Sequence, residues 1–180
     1  MAKSSAKQIE QDKKKLLVEL VKNAQLGFDE IASKLGFSRQ KVIKMIKNLE
    51  NDKTIWGYTA IIDDDKIGQK RFCILLKKAP IKLTNDKLEV VINRELRKIA
   101  IKNGVNLEST YFFNGLFDGQ IWVTAENIMQ VKKFLDDMGR KIGPSYLKEV
   151  NILEVLFPIQ IRGFNNPNIN QLKEYFSLDK

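Results

Sequence analysis

The sequence predicts an α+β chain in two parts: a short helical domain over residues 1–63 and, over residues 64–180, a domain in which strands and helices alternate as βαββαβ. Three observations carry this. Up to about residue 63 apolar residues recur at helical spacing, with short punctuation between the runs. Beyond it, aromatic and β-branched strands are separated by two amphipathic helices. The acidic run Asp63-Asp64-Asp65, followed by Ile67-Gly68, marks the joint.

The 180 residues include 43% apolar side chains, enough for a core in one ordinary domain or two small ones. There is no run of about 18 apolar residues, and the start MAKSSAKQIEQDKKK lacks the apolar segment of a secretory signal. A soluble, cytoplasmic protein with no membrane partner is therefore expected. Histidine is absent, which removes Ser-His and Cys-His nucleophilic pairs, His-ligated zinc and the commonest general base. The single cysteine, Cys73, stands among Phe72, Ile74 and Leu75 and reads as a small buried hydrophobe. No GxGxxG, no phosphate-binding GxxxxGK and no clustered acidic metal motif occurs. No enzyme activity, cofactor or metal is expected.

In the first domain Asp12 is the expected N-cap of a helix whose Leu16, Leu17, Leu20, Val21 and Ala24 form one stripe. A second helix is expected over about 28–35. Asp29 and Glu30 fall in its first turn, where the helix dipole favours acids, and Ile31, Ala32 and Leu35 face inward. Gly36 follows as a left-handed stop, and Ser38 can cap a third helix by accepting a backbone N–H from its first turn. On that helix Val42, Ile46 and Leu49, with Met45 beside them, form the core stripe. Arg39, Gln40, Lys41, Ile43, Lys44 and Lys47 point elsewhere, and most are cationic or amide.

Short helix, tight glycine turn and a second helix with a basic outer face make a helix-turn-helix, whose second helix enters the DNA major groove. Arg39 and Gln40 lie at the groove-entering end, where Arg suits guanine and Gln adenine. Lys44 and Lys47 are placed for phosphates, and the Ser38 hydroxyl can reach a phosphate through the helix N-terminus. The candidate DNA-binding residues are thus Ser38, Arg39, Gln40, Lys41, Lys44 and Lys47. The overall charge agrees: the chain is +9, and residues 1–60 hold 12 Lys and Arg against 7 Asp and Glu. Such a balance points to an anionic partner, double-stranded DNA first.

These residues resemble the Lrp/AsnC (feast/famine) family of bacterial and archaeal transcription regulators. The resemblance runs through LLVELVKNAQLGFDEIASKLGFSRQKVIKMIKNLENDKTIWGYTAIID, residues 16–63. It is carried by Asn23-Ala24, Glu30-Ile31-Ala32, Leu35-Gly36 with Ser38, the recognition-helix pattern of residues 42–50, and a Gly-Tyr-x-Ala-x-Ile-Asp segment, residues 57–63, that is a strand in the family. Gly27 stands where the family often has Ser or Thr, and Ile43 and Met45 where it often has an Arg or another polar residue.

The resemblance implies a winged-helix-like DNA-binding domain with a linker strand, then a ferredoxin-like dimerisation domain that often binds a small effector, commonly an amino acid. The residues give the second domain independently. A strand at about 70–77 leads to Thr84, a cap, and to one long helix with Leu88, Val91, Ile92, Leu96 and Ile99 on one face, closed by Gly104. Strands at about 107–114 and through Ile121 and Val123 flank a hairpin containing Asp118-Gly119. A helix with Ile128, Val131, Leu135 and Met138 on one side precedes a last strand over about 147–157.

Two helices on one face of such a sheet leave the other face apolar, and a partner subunit is its simplest cover. The expected assembly is a homodimer, with higher oligomers open. Tyr111, Phe112, Phe113, Phe117, Trp122 and Trp56 are expected in the core or the dimer interface. Gly115 and Asp118 resemble the family's Gly-x-x-Asp near the effector site, while Asp118 reads in the first place as the first residue of a hairpin turn. Residues 158–180 extend past the family's usual end, with a short helix bearing Leu172 and Phe176 on one side.

The function expected is a dimeric, sequence-specific transcription regulator, nucleoid-associated, with modulation by a small-molecule effector left open. The same basic residues would serve an architectural, chromatin-like protein with little sequence preference, and the sequence does not separate the two.

Overall fold

The computed structural model describes residues 5–82 and 84–176, in two compact units, Met1–Ile61 and Ile62–Lys180. In the first, α1 (Ala6–Lys22), α2 (Phe28–Leu35) and α3 (Arg39–Asn51) enclose Leu16, Leu20, Ile31, Ala32, Val42, Met45, Ile46 and Leu49. Each helix has one apolar stripe, and the three stripes meet because only burial against each other removes them from water.

Three expectations for residues 1–63 are corrected. Asp12 does not cap α1. Ser5, with extended backbone, accepts the Gln8 N–H at 3.2 Å, so the helix starts at Ala6 and Asp12 lies inside it, buried. The Lys- and Gln-rich start is good helix-forming sequence and carries the helix back to the serine. Val21 is exposed rather than part of the core stripe. Residues 57–63 form no strand either. They belong to no ladder among the described residues, and Trp56, Tyr58, Ile61 and Ile62 are exposed. A strand exists only through hydrogen bonds to a neighbour, and the described residues supply none there.

The second unit holds β1 (Lys70–Lys78), α4 (Asn85–Ile92), α5 (Glu95–Lys102), β2 (Asn106–Phe112), β3 (Gly119–Ala125), α6 (Ile128–Ile142) and β4 (Leu147–Glu154). The four strands form an antiparallel sheet in the order β2-β3-β1-β4, the ferredoxin-like arrangement. Phe72, Ile74, Ile121, Val123 and Ala125 meet Leu96, Ala100, Val131, Phe134 and Met138 in one core. Cys73 is buried as expected, accepting a contact from Gln120 Nε2 at 3.0 Å.

The single long helix expected over 84–104 is two. The chain breaks at Asn93–Arg94, where Arg94 takes a left-handed conformation at φ 57°. The stripe therefore shifts: Leu96 and Ala100 are buried while Leu88 and Ile92 are exposed. Gly104, at φ 69°, closes α5 as expected. Asn103 ties α5 to α6, donating from Nδ2 to the Ile99 carbonyl at 2.9 Å and to Asp137 Oδ2 at 3.0 Å.

Facing away from the helices, the sheet presents Arg71, Cys73 and Leu75 on β1, Gln120 and Trp122 on β3, Ser109 and Tyr111 on β2, and Asn151 and Leu153 on β4. This face is mixed rather than apolar throughout. Arg71 joins Asp64 through two hydrogen bonds, at 2.7 and 3.0 Å, and also meets Glu108, fastening the 3-10 turn Asp64–Ile67 to the sheet. The aromatic residues are not core: Trp56, Tyr111, Phe112 and Phe113 are exposed, and Trp122 and Phe117 are half-buried.

After β4 comes a small hairpin, β5 (Gln160–Ile161) and β6 (Phe164–Asn165), unanticipated in sequence and turned by Arg162 and Gly163, both at positive φ. The short helix α7 (Leu172–Phe176) follows. The last four residues of that tail lie outside the described residues. No described helix is long and apolar enough to cross a membrane.

Candidate nucleic-acid interface

The turn before α3 is built by two residues. Gly36, at φ 66° and ψ 33°, reverses the chain after α2 in a conformation that costs an L-side chain about 1–2 kcal/mol. Phe37 N–H then donates to the Ala32 carbonyl at 2.9 Å. Ser38 is extended, and its Oγ accepts the Lys41 N–H at 3.2 Å, so α3 begins at Arg39. Both roles were legible in the sequence.

A helix advances about 100° per residue. With Val42, Met45, Ile46 and Leu49 buried, Gln40, Ile43, Lys44, Lys47, Asn48 and Asn51 fall on the opposite side, where they line one shallow outward surface. Two ammonium groups and three amides surround one aliphatic chain there. None of the six is a carboxylate. A polyanion meeting this surface finds cations and neutral donors, with no acid of the stripe to repel it.

Of the residues expected to bind DNA, Gln40, Lys44 and Lys47 lie on this stripe and are exposed. Ser38 is occupied as a cap. Arg39 and Lys41 lie on the two flanks, and each meets an acid from another helix. Arg39 Nε is 3.3 Å from Asp29 Oδ1, with both side chains well exposed. Such a pair contributes little in water and can exchange its carboxylate for a phosphate.

Lys41 is held differently. Its Nζ lies 2.5 Å from Asp12 Oδ2 and 4.0 Å from the centroid of the Phe37 ring. Asp12 is 3% exposed and also accepts from Gln8 Nε2 at 2.8 Å. The hydrogen bond from Lys41, then that from Gln8, hold this carboxyl below the usual carboxylate range. Lys41 therefore pins α3 to α1. Asn48 and Asn51 are the members of the stripe passed over in the sequence, while Ile43 is expected there off the core stripe but not among the DNA contacts. The signal that finds the two asparagines is the same helical spacing carried on from Gln40 to i+8 and i+11.

At the hairpin between β2 and β3, Gly115 is exposed. Asp118 is engaged by its neighbours in the fold: Oδ2 accepts the Lys78 N–H at 2.9 Å, its own N–H donates to the Leu76 carbonyl at 2.9 Å, and Lys78 Nζ lies 3.7 Å from Oδ1. These contacts fasten the hairpin to the end of β1. Among the described residues no group of three or more His, Cys, Asp or Glu is placed to hold a metal.

No protein-family model matches the chain. In sequence it is 43% identical over 58 residues to the HTH-type transcriptional regulator LrpA of Pyrococcus horikoshii, a match spanning 32% of this chain and 41% of that protein. It is 26% identical over 129 residues to the proline dehydrogenase transcriptional activator of Rhodobacter capsulatus, covering 72% of this chain and 77% of the activator. In fold it is similar to an AsnC family transcriptional regulator from Agrobacterium tumefaciens, with a TM-score of 0.59 at 18% identity over 92% of this chain and 98% of that one. It is likewise similar to a Neisseria meningitidis transcriptional regulator solved as a complex with L-Met, with a TM-score of 0.61 at 18% identity over 90% and 97% of the two chains.

Proposed function

We propose that this chain, similar to Lrp/AsnC regulators in fold and, over 58 residues, to LrpA in sequence, is a DNA-binding transcription regulator that acts as a homodimer. The observation that carries the reading is the outward stripe of α3: cations and amides without a carboxylate, set opposite a fully packed core stripe. Residues 1–63 bind DNA and residues 64–180 dimerise. Gln40 faces bases from the stripe, Arg39 reaches a base or a phosphate from its flank, Lys44 and Lys47 face phosphates, and Ser38 sets the start of the helix that presents them. Lys41 contributes chiefly by fixing the pose of α3.

Dimerisation is supported by apolar groups that the chain leaves without cover: Leu153 on the outer sheet face, and Trp56, Tyr58 and Ile62 in the connecting segment. Their burial between two copies would give one assembly two α3 helices. The protein works in the cytoplasm, on the nucleoid. An amino acid is the effector class to test first, because the Neisseria regulator of the same fold was solved with L-Met. Gly115 and Asp118 mark the neighbourhood in which to look for its site.

The test is footprinting of genomic DNA with the purified protein. Regulation requires discrete protected sites whose half-sites are about one helical turn, 34–36 Å, or a multiple apart. Uniform protection, or none, would sink the reading.

A further inference from the structure

We propose that Ile43 reads the C5 methyl group of a thymine in the major groove, beside an adenine read by Gln40, so that the step under the first turns of α3 is A·T. This rests on the reading of α3 as the recognition helix.

Ile43 lies in the outward stripe, one turn from Gln40 and flanked by Lys44 and Lys47. It is half-buried and takes no part in the core that Val42, Met45 and Ile46 make with α1 and α2. A β-branched aliphatic chain gains nothing on a solvated helix face and is a poorer helix former than Lys, Gln or Glu. Its presence in the middle of an otherwise polar surface fits an apolar group on the ligand.

In the major groove one base carries such a group. Thymine exposes its methyl, whereas guanine shows N7 and O6 and cytosine an amino group. Ile43 can neither donate nor accept a hydrogen bond. Set against a G·C edge it would strip water from polar atoms and leave them unpaired, and set against thymine it buries the methyl. Gln40 supplies the complementary half, since its amide can donate to adenine N7 and accept from N6 at once. Residues at i and i+3 stand about 5–6 Å apart on a helix, so Gln40 and Ile43 reach the same base pair or adjacent ones. The guanidinium on α3, Arg39, is off this stripe and beside Asp29.

The experiment starts with selection of duplexes from a random pool by the wild-type protein. In the recovered duplex each thymine is then replaced in turn by uracil, which keeps every hydrogen-bonding group and removes only the methyl. Affinity is measured by fluorescence anisotropy for wild type, Ile43→Ala and Gln40→Ala. Loss of one buried methyl corresponds to about fourfold in affinity. The expected result is one thymine per half-site at which uracil weakens wild type about fourfold. At that thymine Ile43→Ala binds the thymine and uracil duplexes equally, while Gln40→Ala retains the discrimination.

If no uracil weakens wild type, or if Ile43→Ala discriminates as wild type does, the inference is overturned while the regulator reading stands. If selection yields no sequence preference, both fall. The uracil scan on wild type needs no variant, so misfolding of Ile43→Ala cannot mask the answer.

Discussion

Asp12 on α1 and Lys41 on α3 meet at 2.5 Å in the N-terminal unit, and the carboxylate of this pair is nearly sealed from water while the ammonium is partly open. The pair crosses from the first helix to the first turn of the third. It sets the rotation of α3, and with it the direction in which the stripe from Gln40 to Asn51 points.

Lys41→Met should therefore act on stability before it acts on charge, because it strands a buried carboxylate. The melting temperature of the N-terminal unit is expected to fall by several degrees. Lys47→Met, which removes an exposed cation, should leave it unchanged. Circular dichroism melts of the two variants decide this, and equal melting temperatures would remove the structural role of Lys41.

The same pair predicts a pH dependence. The Asp12 carboxyl is held low in the fold, chiefly by Lys41 and then by Gln8, so the unfolded state binds its proton more readily. Its contribution to stability is complete above the unfolded carboxylate pKa, about 3.9, and is lost as pH falls through the lower folded value. Asp12→Asn should lose stability at neutral pH and show a shallower further loss below about pH 4 than wild type. Urea titrations from pH 7 to pH 3 measure the two slopes, and parallel curves would contradict the assignment.

Lys44 and Lys47 carry no ion pair to an acid of their own stripe, and each should neutralise about one phosphate. Replacing either by Gln is expected to reduce the slope of log affinity against log salt by about 0.9, almost independently of sequence. Anisotropy titrations at several potassium chloride concentrations give the slope. A variant with the wild-type slope would take that lysine off the DNA.

Gly36 offers a cleaner backbone test, since a Cβ there would meet nothing within 4 Å and only the left-handed conformation opposes it. Gly36→Ala should cost about 1 kcal/mol, and Gly36→Asn less, because Asn tolerates this region better. Chemical denaturation resolves a difference of that size.

Phe134 is fully buried between α6 and the sheet. Phe134→Ala should destabilise the second unit by about 3–5 kcal/mol. If the two units fold independently, a two-step melt follows in which the step reported by the helix-only unit is unmoved.

Local order was legible in the residues. Ser38 and Gly36 announce the start of α3 and the turn before it because capping and left-handed backbone depend on one residue and its nearest neighbours. The alternation of strands with Ile128, Val131, Leu135 and Met138 similarly announces βαββαβ. Less legible were the early start of α1 and the break at Arg94. In both cases helix-forming sequence runs through the boundary, so propensity alone gives no stopping point. The segment 57–63 shows a different failure: the family resemblance implies a strand there, but a strand also needs a neighbour to receive its hydrogen bonds.

What the sequence by itself determined is therefore the three helices of the first unit, the four strands of the main sheet and the two faces of α3, since these follow from local spacing. Which cations on that helix stay open to a ligand was decided only by tertiary structure. Asp12 and Asp29 arrive from other helices to meet Lys41 and Arg39, whereas Lys44 and Lys47 point away from both. A charge's partner depends on packing between distant parts of the chain, and periodicity carries no record of it.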